Sequence, residues 1–292
     1  MTMISYERVE VHSLPSREGI PLGYWEGRIV EHPHAEFRKI YELPTRDEAA
    51  RLAAEKILEV VSNKPDAAIS FPTGNQAKSV YEHLAKLAKE RNVSFADVRA
   101  FHLDEYFPIS ADHPDSFRKY LRENVWNPLG IKQENIHEIQ ADPGTDGAKV
   151  AADYEALLSK QDIDLVLHPI GCGGHIGFNE SGTEKELPTH VTKLSDETIH
   201  RDQVVRKQTS PDHAITQGIS TMLKAKQLLF IDFDPQYQNA MADALYGPIS
   251  SKNPSSFLRT NGKHVDVIIT KEIGTAIQSR VNRPERELPR TS

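Results

Sequence analysis

The segment from Pro169 to Glu180 constrains the fold of this chain more than any other stretch. It follows the apolar run Ile163 to Leu167, which is typical of a buried strand, so its glycines fall at that strand's carboxyl end. Open α/β sheets bind their ligands at that end of their strands. The glycines let the backbone approach a ligand, while His175 and Glu180 supply a group that titrates near neutral pH and a carboxylate. The segment therefore predicts an active site suited to proton transfer.

Two upstream segments have the same strand-then-loop pattern. The run Ala67 to Phe71 leads into the turn Pro72 to Gln76, and Ala77 to Ala88 then has the apolar spacing of a helix. A glycine turn between a strand and a helix aims backbone amides at a phosphate. The strand-like run Val98 to Leu103 ends at Asp104, the first of two adjacent acids, which is a second signal of a site.

Four sequence blocks carry a family resemblance that covers the chain from about Phe37 to about Ile273. They are FPTGN (Phe71 to Asn75), SFADVRAFHLDEYFPISADHPDSF (Ser94 to Phe117), GCGGHIGFNE (Gly171 to Glu180) and AITQGISTML (Ala214 to Leu223). In order and spacing the chain resembles the glucosamine-6-phosphate deaminase/isomerase family, whose wider superfamily includes the 6-phosphogluconolactonases. The LDEY and GHIGFNE blocks have the form of the deaminase branch.

The alternation of strand-like and helix-like segments predicts a single α/β domain with an open, mostly parallel sheet and helices on both faces, a modified Rossmann-like fold. We expect this domain to span residues 37–279, with an N-terminal extension at 1–36 and a polar, solvated tail at 280–292. The extension is either an extra edge element or an arm on a neighbouring subunit. The other predicted elements are helices at 46–61, 150–159 and 238–245 and strands at 228–233 and 265–270.

Composition is that of a soluble enzyme. A formal net charge of -7 without a basic stripe argues against nucleic acid as a partner. No apolar run has the length of a membrane helix, and the N-terminus lacks the pattern of a secretion signal, so we expect a cytoplasmic protein with no membrane partner. One cysteine excludes an internal disulfide framework.

The resemblance implies a reaction and three catalytic residues. The family opens the ring of glucosamine 6-phosphate, moves a proton from C2 to C1 and releases ammonia, giving fructose 6-phosphate. Asp104 matches the proton-transferring acid, His175 the ring-opening histidine, and Glu180 the glutamate that supports it. The alternative for each is a structural role in a loop or turn, and for Glu105 we favour the structural role. No cofactor or metal is expected, the partner is a small sugar phosphate, and we expect a homo-oligomer.

The resemblance also gives a substrate-binding set. Its members are Thr73, Gly74, Asn75, Gly174 and Arg201. Arg201 matches the family's phosphate-binding arginine only if a short gap is allowed after His190, and Arg206 and Lys207 are nearby substitutes.

Two positions depart from the family pattern. Gly173 stands where the family usually has an aspartate, and Tyr237 is the best match for a phosphate-binding lysine. Losing that ammonium removes a contact worth about 1–3 kcal/mol. These departures leave two alternatives open, a non-catalytic sugar-phosphate binder and a phosphosugar lactonase. Cys172 as a thiolate nucleophile beside His175 is a further alternative, but a small residue filling a tight turn is favoured.

Overall fold

The computed structural model describes residues 6–7, 28–30 and 37–281. The strands are β1 (Tyr6–Glu7), β2 (Arg28–Val30), β3 (Lys39–Leu43), β4 (Ala68–Phe71), β5 (Arg99–His102), β6 (Asp104–Phe107), β7 (Ile136–His137), β8 (Leu165–Pro169), β9 (His190–Lys193), β10 (His213–Thr216), β11 (Leu228–Asp232) and β12 (Val265–Thr270). The α-helices are α1 (Arg46–Asn63), α2 (Asn75–Glu90), α3 (Phe117–Leu121), α4 (Asn127–Leu129), α5 (Gly147–Leu158), α6 (Asp196–Ile199), α7 (Ile219–Met222), α8 (Gln238–Tyr246) and α9 (Lys271–Val281). π-Helical turns continue α3 and α6, at Arg122–Trp126 and His200–Val205.

The described strands form a large sheet in the order β1-β2-β3-β12-β11-β8-β4-β5-β7. From β3 to β7 every neighbouring pair is parallel, whereas β1 and β2 add an antiparallel edge beside β3. The mostly parallel sheet predicted from the sequence is confirmed. The described parts of the N-terminal extension thus lie at the sheet edge, and the rest of residues 1–36 falls outside the described residues.

Helices pack on both faces of this sheet, as the alternation of buried side chains along β11 shows. Leu229 and Ile231 belong to the cluster that contains the buried side chains of α1 and α2. Leu228 and Phe230 belong to a second cluster with those of α5, α8 and α9. Burying a side chain of this size contributes about 1.5–3 kcal/mol, so both clusters hold the layers together. No helix in the described ranges is long and apolar enough to cross a membrane.

A second, antiparallel sheet was not predicted from the sequence. Its order is β6-β10-β9, and Asp104 at the start of β6 lies opposite Thr216 at the end of β10. Only Leu103 separates β6 from β5, so the chain passes directly from the parallel sheet into the small one. Asp104 therefore lies where the two sheets meet, at the carboxyl end of β5.

Several predicted boundaries differ from the structure by one to three residues, among them those of β8 and α9. Strand β8 begins two residues later than the apolar run suggests, because the Asp164 carboxylate accepts hydrogen bonds from Lys64, Lys226 and the amide of Ala68. Helix α9 continues to Val281, two residues into the segment expected to be a solvated tail. The remainder of that tail, 282–292, lies outside the described residues.

Candidate active site

A cleft lies at the carboxyl ends of β4, β5, β8 and β11, which are neighbours in the large sheet. It contains about 730 Å³ of empty space, its open mouth included. The chain order reverses between β4 and β8, and this is the place where open α/β sheets bind ligands. Asp104, His175 and Arg201 all line the cleft, as do Thr73, Gly74 and Asn75. The structure therefore brings most of the residues selected from the sequence to one cavity.

Asp104 is the buried acid of this cleft. Its side chain is 5% exposed, and Oδ1 has no hydrogen-bond partner among the described residues. Burial raises the pKa of Asp104 to about 8, the charges of Glu105 and Asp202 act in the same direction, and Arg201 opposes them. A carboxyl group that titrates near neutral pH and faces a cavity can both accept and return a proton.

His175 and Glu180 form a hydrogen-bonded pair at the other wall. The distance from His175 Nδ1 to Glu180 Oε2 is 3.3 Å, and both side chains are buried. Burial disfavours the charged form of Glu180, but hydrogen bonds from His175, Thr198 and Ser195 outweigh it and lower the pKa of Glu180 to about 2. An ionised carboxylate can only accept, so Nδ1 carries the proton in this bond and Nε2 is left for a ligand.

Glycines at two positions give these groups the room they need. A Cβ on Gly171 would overlap Nε2 of His175, so the imidazole occupies the place of a missing side chain. Gly177 has φ +56°, and a Cβ there would lie 2.8 Å from Thr216 Oγ1 and 3.3 Å from Asp104 Oδ2. Both glycines line the cleft, so the backbone of this loop approaches both the acid and the imidazole.

The N-terminus of α2 forms the opposite end of the cleft. Gly74 precedes the helix with φ +109°, a conformation that favours glycine, and no side chain in the described part of the chain caps the helix. Gln76 fixes the turn because its side chain donates to Ile170 O at 3.4 Å and accepts from Phe233 N at 2.6 Å. The uncapped amides and the helix dipole make this end chemically suited to an anion.

Two arginines complete this end. Arg201 and Arg206 both line the cleft, and both contact the buried carboxylate of Asp202. Tyr237 lies beside them as a lining residue, and burial raises its pKa to about 12, so it stays a neutral hydroxyl near pH 7. This end of the cleft therefore contains two guanidinium groups, those of Arg201 and of Arg206, which the sequence offered only as a substitute.

Three neighbouring residues of the glycine loop have different surroundings. Gly174, expected to contact the substrate, is not among the lining residues of the cleft; Ser255 Oγ donates to its carbonyl, and a Cβ on it would overlap Asn253. Gly173 has φ +60° and its open side faces Glu197, with a Cβ position 3.9 Å from Oε2. Cys172 contacts Arg201 Nη1 at 3.6 Å, and burial raises the pKa of its thiol, which disfavours a thiolate nucleophile.

Sequence reasoning missed Asp202, Tyr106 and Gln76. Asp202 and Tyr106 are joined by a hydrogen bond although 96 residues separate them. Tyr106 lies in the LDEY block and Asp202 in the π-helical turn His200–Val205, and no local pattern predicts that the two side chains meet. Gln76 lies inside the predicted turn, but the sequence does not show that its side chain fixes the conformation of that turn.

Residues 44–267 match the model of the glucosamine-6-phosphate isomerases/6-phosphogluconolactonase family. The chain belongs to this family. A glucosamine-6-phosphate deaminase of Thermoanaerobacter sp. (strain X514) is 32% identical over 234 residues, which are 79% of this chain and 92% of that protein. The deaminase of Lysinibacillus sphaericus (strain C3-41) is 33% identical over 237 residues, 79% and 97% of the two chains.

Solved structures of the family share the fold. A monomeric glucosamine-6-phosphate deaminase superposes with a TM-score of 0.76 at 31% identity, covering 81% of this chain and 98% of that one. The 6-phosphogluconolactonase from Trypanosoma cruzi gives a TM-score of 0.65 at 19% identity, over 83% and 98% of the chains, a likeness of fold alone. The deaminase relatives and the deaminase structure, all at least 31% identical over most of the chain, show that the protein is an enzyme of the glucosamine-6-phosphate deaminase type.

Proposed function

We propose that this cleft converts glucosamine 6-phosphate, or a close amino-sugar phosphate, and water into fructose 6-phosphate and ammonia. The observation that carries the proposal is the shared cavity of Asp104 and His175, one a buried carboxyl with an unpartnered oxygen and the other an imidazole with one nitrogen fixed by Glu180. The reaction needs two proton carriers of this kind at one substrate. The anion end of the cleft supplies the place for the phosphate.

In the proposed reaction, His175 opens the sugar ring. Its Nε2 takes the proton from the O1 hydroxyl and returns it to the ring oxygen as the C1–O5 bond breaks, which leaves an aldehyde at C1. The ionised Glu180 stabilises the imidazolium that forms between the two transfers, since it accepts from Nδ1. Glu180 acts through His175 and does not itself line the cleft.

Asp104 carries the C2 proton to C1. Its carboxylate removes the proton from C2 of the open aldehyde, giving an enolate with its negative charge on O1, and the carboxylic acid then protonates C1. A proton passes from the substrate's amino nitrogen to O1, which gives a neutral 2-imine with a hydroxyl at C1. Water adds at C2 and ammonia leaves, which completes the ketose phosphate. The base must be ionised to begin, and burial sets the pKa of Asp104 at about 8, so turnover is expected to rise with pH up to about that value.

The phosphate is proposed to bind at the N-terminus of α2. The turn Thr73 to Asn75 offers backbone amides, and Arg201 with Arg206 offers guanidinium groups on the same side of the cleft. Lys207, the other substitute considered from the sequence, is not a lining residue. A remote phosphate contact mainly lowers KM, so this end is expected to set affinity for the substrate class.

A panel of substrates tests the proposal. The purified protein is incubated with glucosamine 6-phosphate, galactosamine 6-phosphate, unphosphorylated glucosamine and a 6-phosphoglucono-lactone, and ammonia or acid release is measured. Ammonia from an amino-sugar phosphate is the expected result. Acid release from the lactone alone would favour the phosphosugar lactonase, and binding without turnover would favour the non-catalytic binder. A cytoplasmic location and a homo-oligomeric state are also proposed, to be read by cell fractionation and light scattering.

A further inference from the structure

Asp202 is a buried carboxylate beside the cleft that binds two arginines and a tyrosine. It is 1% exposed, and Arg201 binds it through two nitrogens, Nε to Oδ1 at 2.7 Å and Nη2 to Oδ2 at 2.8 Å. Arg206 Nη1 lies 3.2 Å from Oδ1. The hydroxyl of Tyr106 donates to Oδ2 at 2.7 Å. A single carboxylate therefore orients both arginines that line the cleft.

The hydrogen bond from Tyr106 ties this cluster to the proton-transfer acid. Tyr106 lies two residues after Asp104 on β6, and its ring is 1% exposed and packs against Phe117 and Phe178. The hydroxyl is thus held at a fixed place relative to Asp104. This hydrogen bond ties the position of Asp202 to β6, the strand that carries Asp104. The position of Arg201 follows, because Arg201 is bound to Asp202.

We infer that Asp202 is a positioning residue, which with Tyr106 holds Arg201 at the phosphate end of the cleft at a set distance from Asp104. This inference rests on the proposed function, because the phosphate is what Arg201 is positioned to meet. The bidentate pair uses Nε and Nη2, so Nη1, which contacts Cys172, is the guanidinium nitrogen left for a ligand.

Asp202 also sets the charge that Asp104 experiences. Asp202, Arg201 and Arg206 together carry a net charge of +1, whereas the two arginines without Asp202 would carry +2. The charged groups that act on Asp104 are Glu105 and Asp202, which raise its pKa, and Arg201, which lowers it. Removing the charge of Asp202 therefore favours the ionised form of Asp104 by two routes, the loss of an anion and the release of the Arg201 charge.

Two variants separate position from charge. Tyr106→Phe keeps the ring and every charge but removes the hydrogen bond to Asp202, and Asp202→Asn keeps the shape but removes the charge. Asp212→Asn is the matched control, because Asp212 is an exposed acid paired with His213 and does not line the cleft. The readouts are KM and kcat for glucosamine 6-phosphate across pH, and the Kd of inorganic phosphate by calorimetry.

For Tyr106→Phe we expect KM and the phosphate Kd to rise about three- to tenfold, the range for one hydrogen bond, with an unchanged pH midpoint. For Asp202→Asn we expect a loss in kcat/KM of about tenfold or more and a midpoint lower by about half a pH unit or more. Asp212→Asn should match the wild type in all of these. A purely structural role for Asp202 would reduce the yield of folded protein without moving the midpoint.

The inference is overturned if Tyr106→Phe has the wild-type KM and phosphate Kd, or if folded Asp202→Asn has the wild-type midpoint. Should Asp202→Asn fail to fold, Tyr106→Phe alone decides. Absence of turnover by the wild type would reject the proposed function instead. The phosphate Kd of Tyr106→Phe would still decide the inference in that case, because it does not depend on catalysis.

Discussion

Asp104 and Glu105 are consecutive residues of β6, yet Asp104 Oδ1 has no partner among the described residues while Glu105 accepts four hydrogen bonds. Successive side chains of a strand point to opposite faces, so one carboxyl faces the cleft and the other faces α3. The donors to Glu105 are the amides of Tyr106, Phe117 and Arg118 and the hydroxyl of Ser116. The adjacent acids therefore differ: Glu105 anchors the start of α3, whereas Asp104 is available for the proposed proton transfer.

Glu105→Gln is expected to lower stability more than catalysis. The carboxylate accepts from the first turn of α3, and an amide can accept only part of these bonds, which costs about 1–3 kcal/mol. Thermal unfolding should show a lower Tm, while kcat at the optimal pH of the folded protein stays within a few fold of the wild type. Loss of turnover equal to that of an Asp104 variant would contradict the division of roles.

Asp104→Asn is expected to stabilise the protein at alkaline pH. The pKa of Asp104 is about 8 in the folded chain against a usual value of 3.8, so between these values the folded state holds a proton that the unfolded state has lost. The free energy of unfolding of the wild type therefore falls as the pH rises from about 4 to about 8. The variant has no carboxyl at this position, so its stability does not fall for this reason. Its Tm should exceed that of the wild type by about 3 °C or more at pH 9, since 1 kcal/mol corresponds to about 2–4 °C, and by much less at pH 4. An equal difference at both pH values would mean that Asp104 titrates normally.

Gly171→Ala is expected to disable His175 without straining the backbone. Gly171 has φ −124°, which any residue adopts, but the new Cβ would overlap Nε2 and push the imidazole away from the cleft. We expect kcat/KM to fall by about 100-fold or more, the usual contribution of a positioned acid or base.

Gly130→Ala is the control for this variant. Gly130 ends α4 with φ +65°, and no atom lies within 4 Å of a Cβ built there, so the change strains the backbone away from the cleft. It should lower the free energy of unfolding by the cost of a left-handed alanine, about 1–2 kcal/mol, and leave kcat unchanged. If both variants lose activity in proportion to stability, the contact with His175 is not the cause.

Arg201→Ala is expected to raise KM for glucosamine 6-phosphate more than it lowers kcat. A phosphate contact remote from C1 and C2 contributes mainly uniform binding. Inorganic phosphate should compete with the substrate, and glucosamine without phosphate should have a much lower kcat/KM. Equal kcat/KM for the two sugars, with no competition by phosphate, would show that the cleft does not select a phosphate.

The main elements of the site could be predicted because they follow strands. Asp104 and the Thr73 to Asn75 turn come just after buried apolar runs, His175 lies in the glycine loop that follows another, and the carboxyl ends of parallel strands meet at one edge. The sheet and its flanking helices were predictable for the same reason, since apolar periodicity reports burial.

The remainder depended on long-range contacts. Gly174 and Gly171 are alike in the sequence, and only the packing of Asn253 and His175 against them tells which one lies at the cleft. The small antiparallel sheet consists of short strands with several polar residues, and no apolar pattern marks them. Asp202 was missed because its partner Tyr106 is 96 residues away in the sequence.

The most direct test of the proton-transfer role is ammonia release from glucosamine 6-phosphate by the wild type and by Asp104→Asn, measured side by side near pH 8. The wild type should release ammonia, and the variant should be slower by about 100- to 10,000-fold while keeping its fold and its affinity for inorganic phosphate, because an amide cannot accept the C2 proton. Ammonia release by folded Asp104→Asn at close to the wild-type rate would contradict the account.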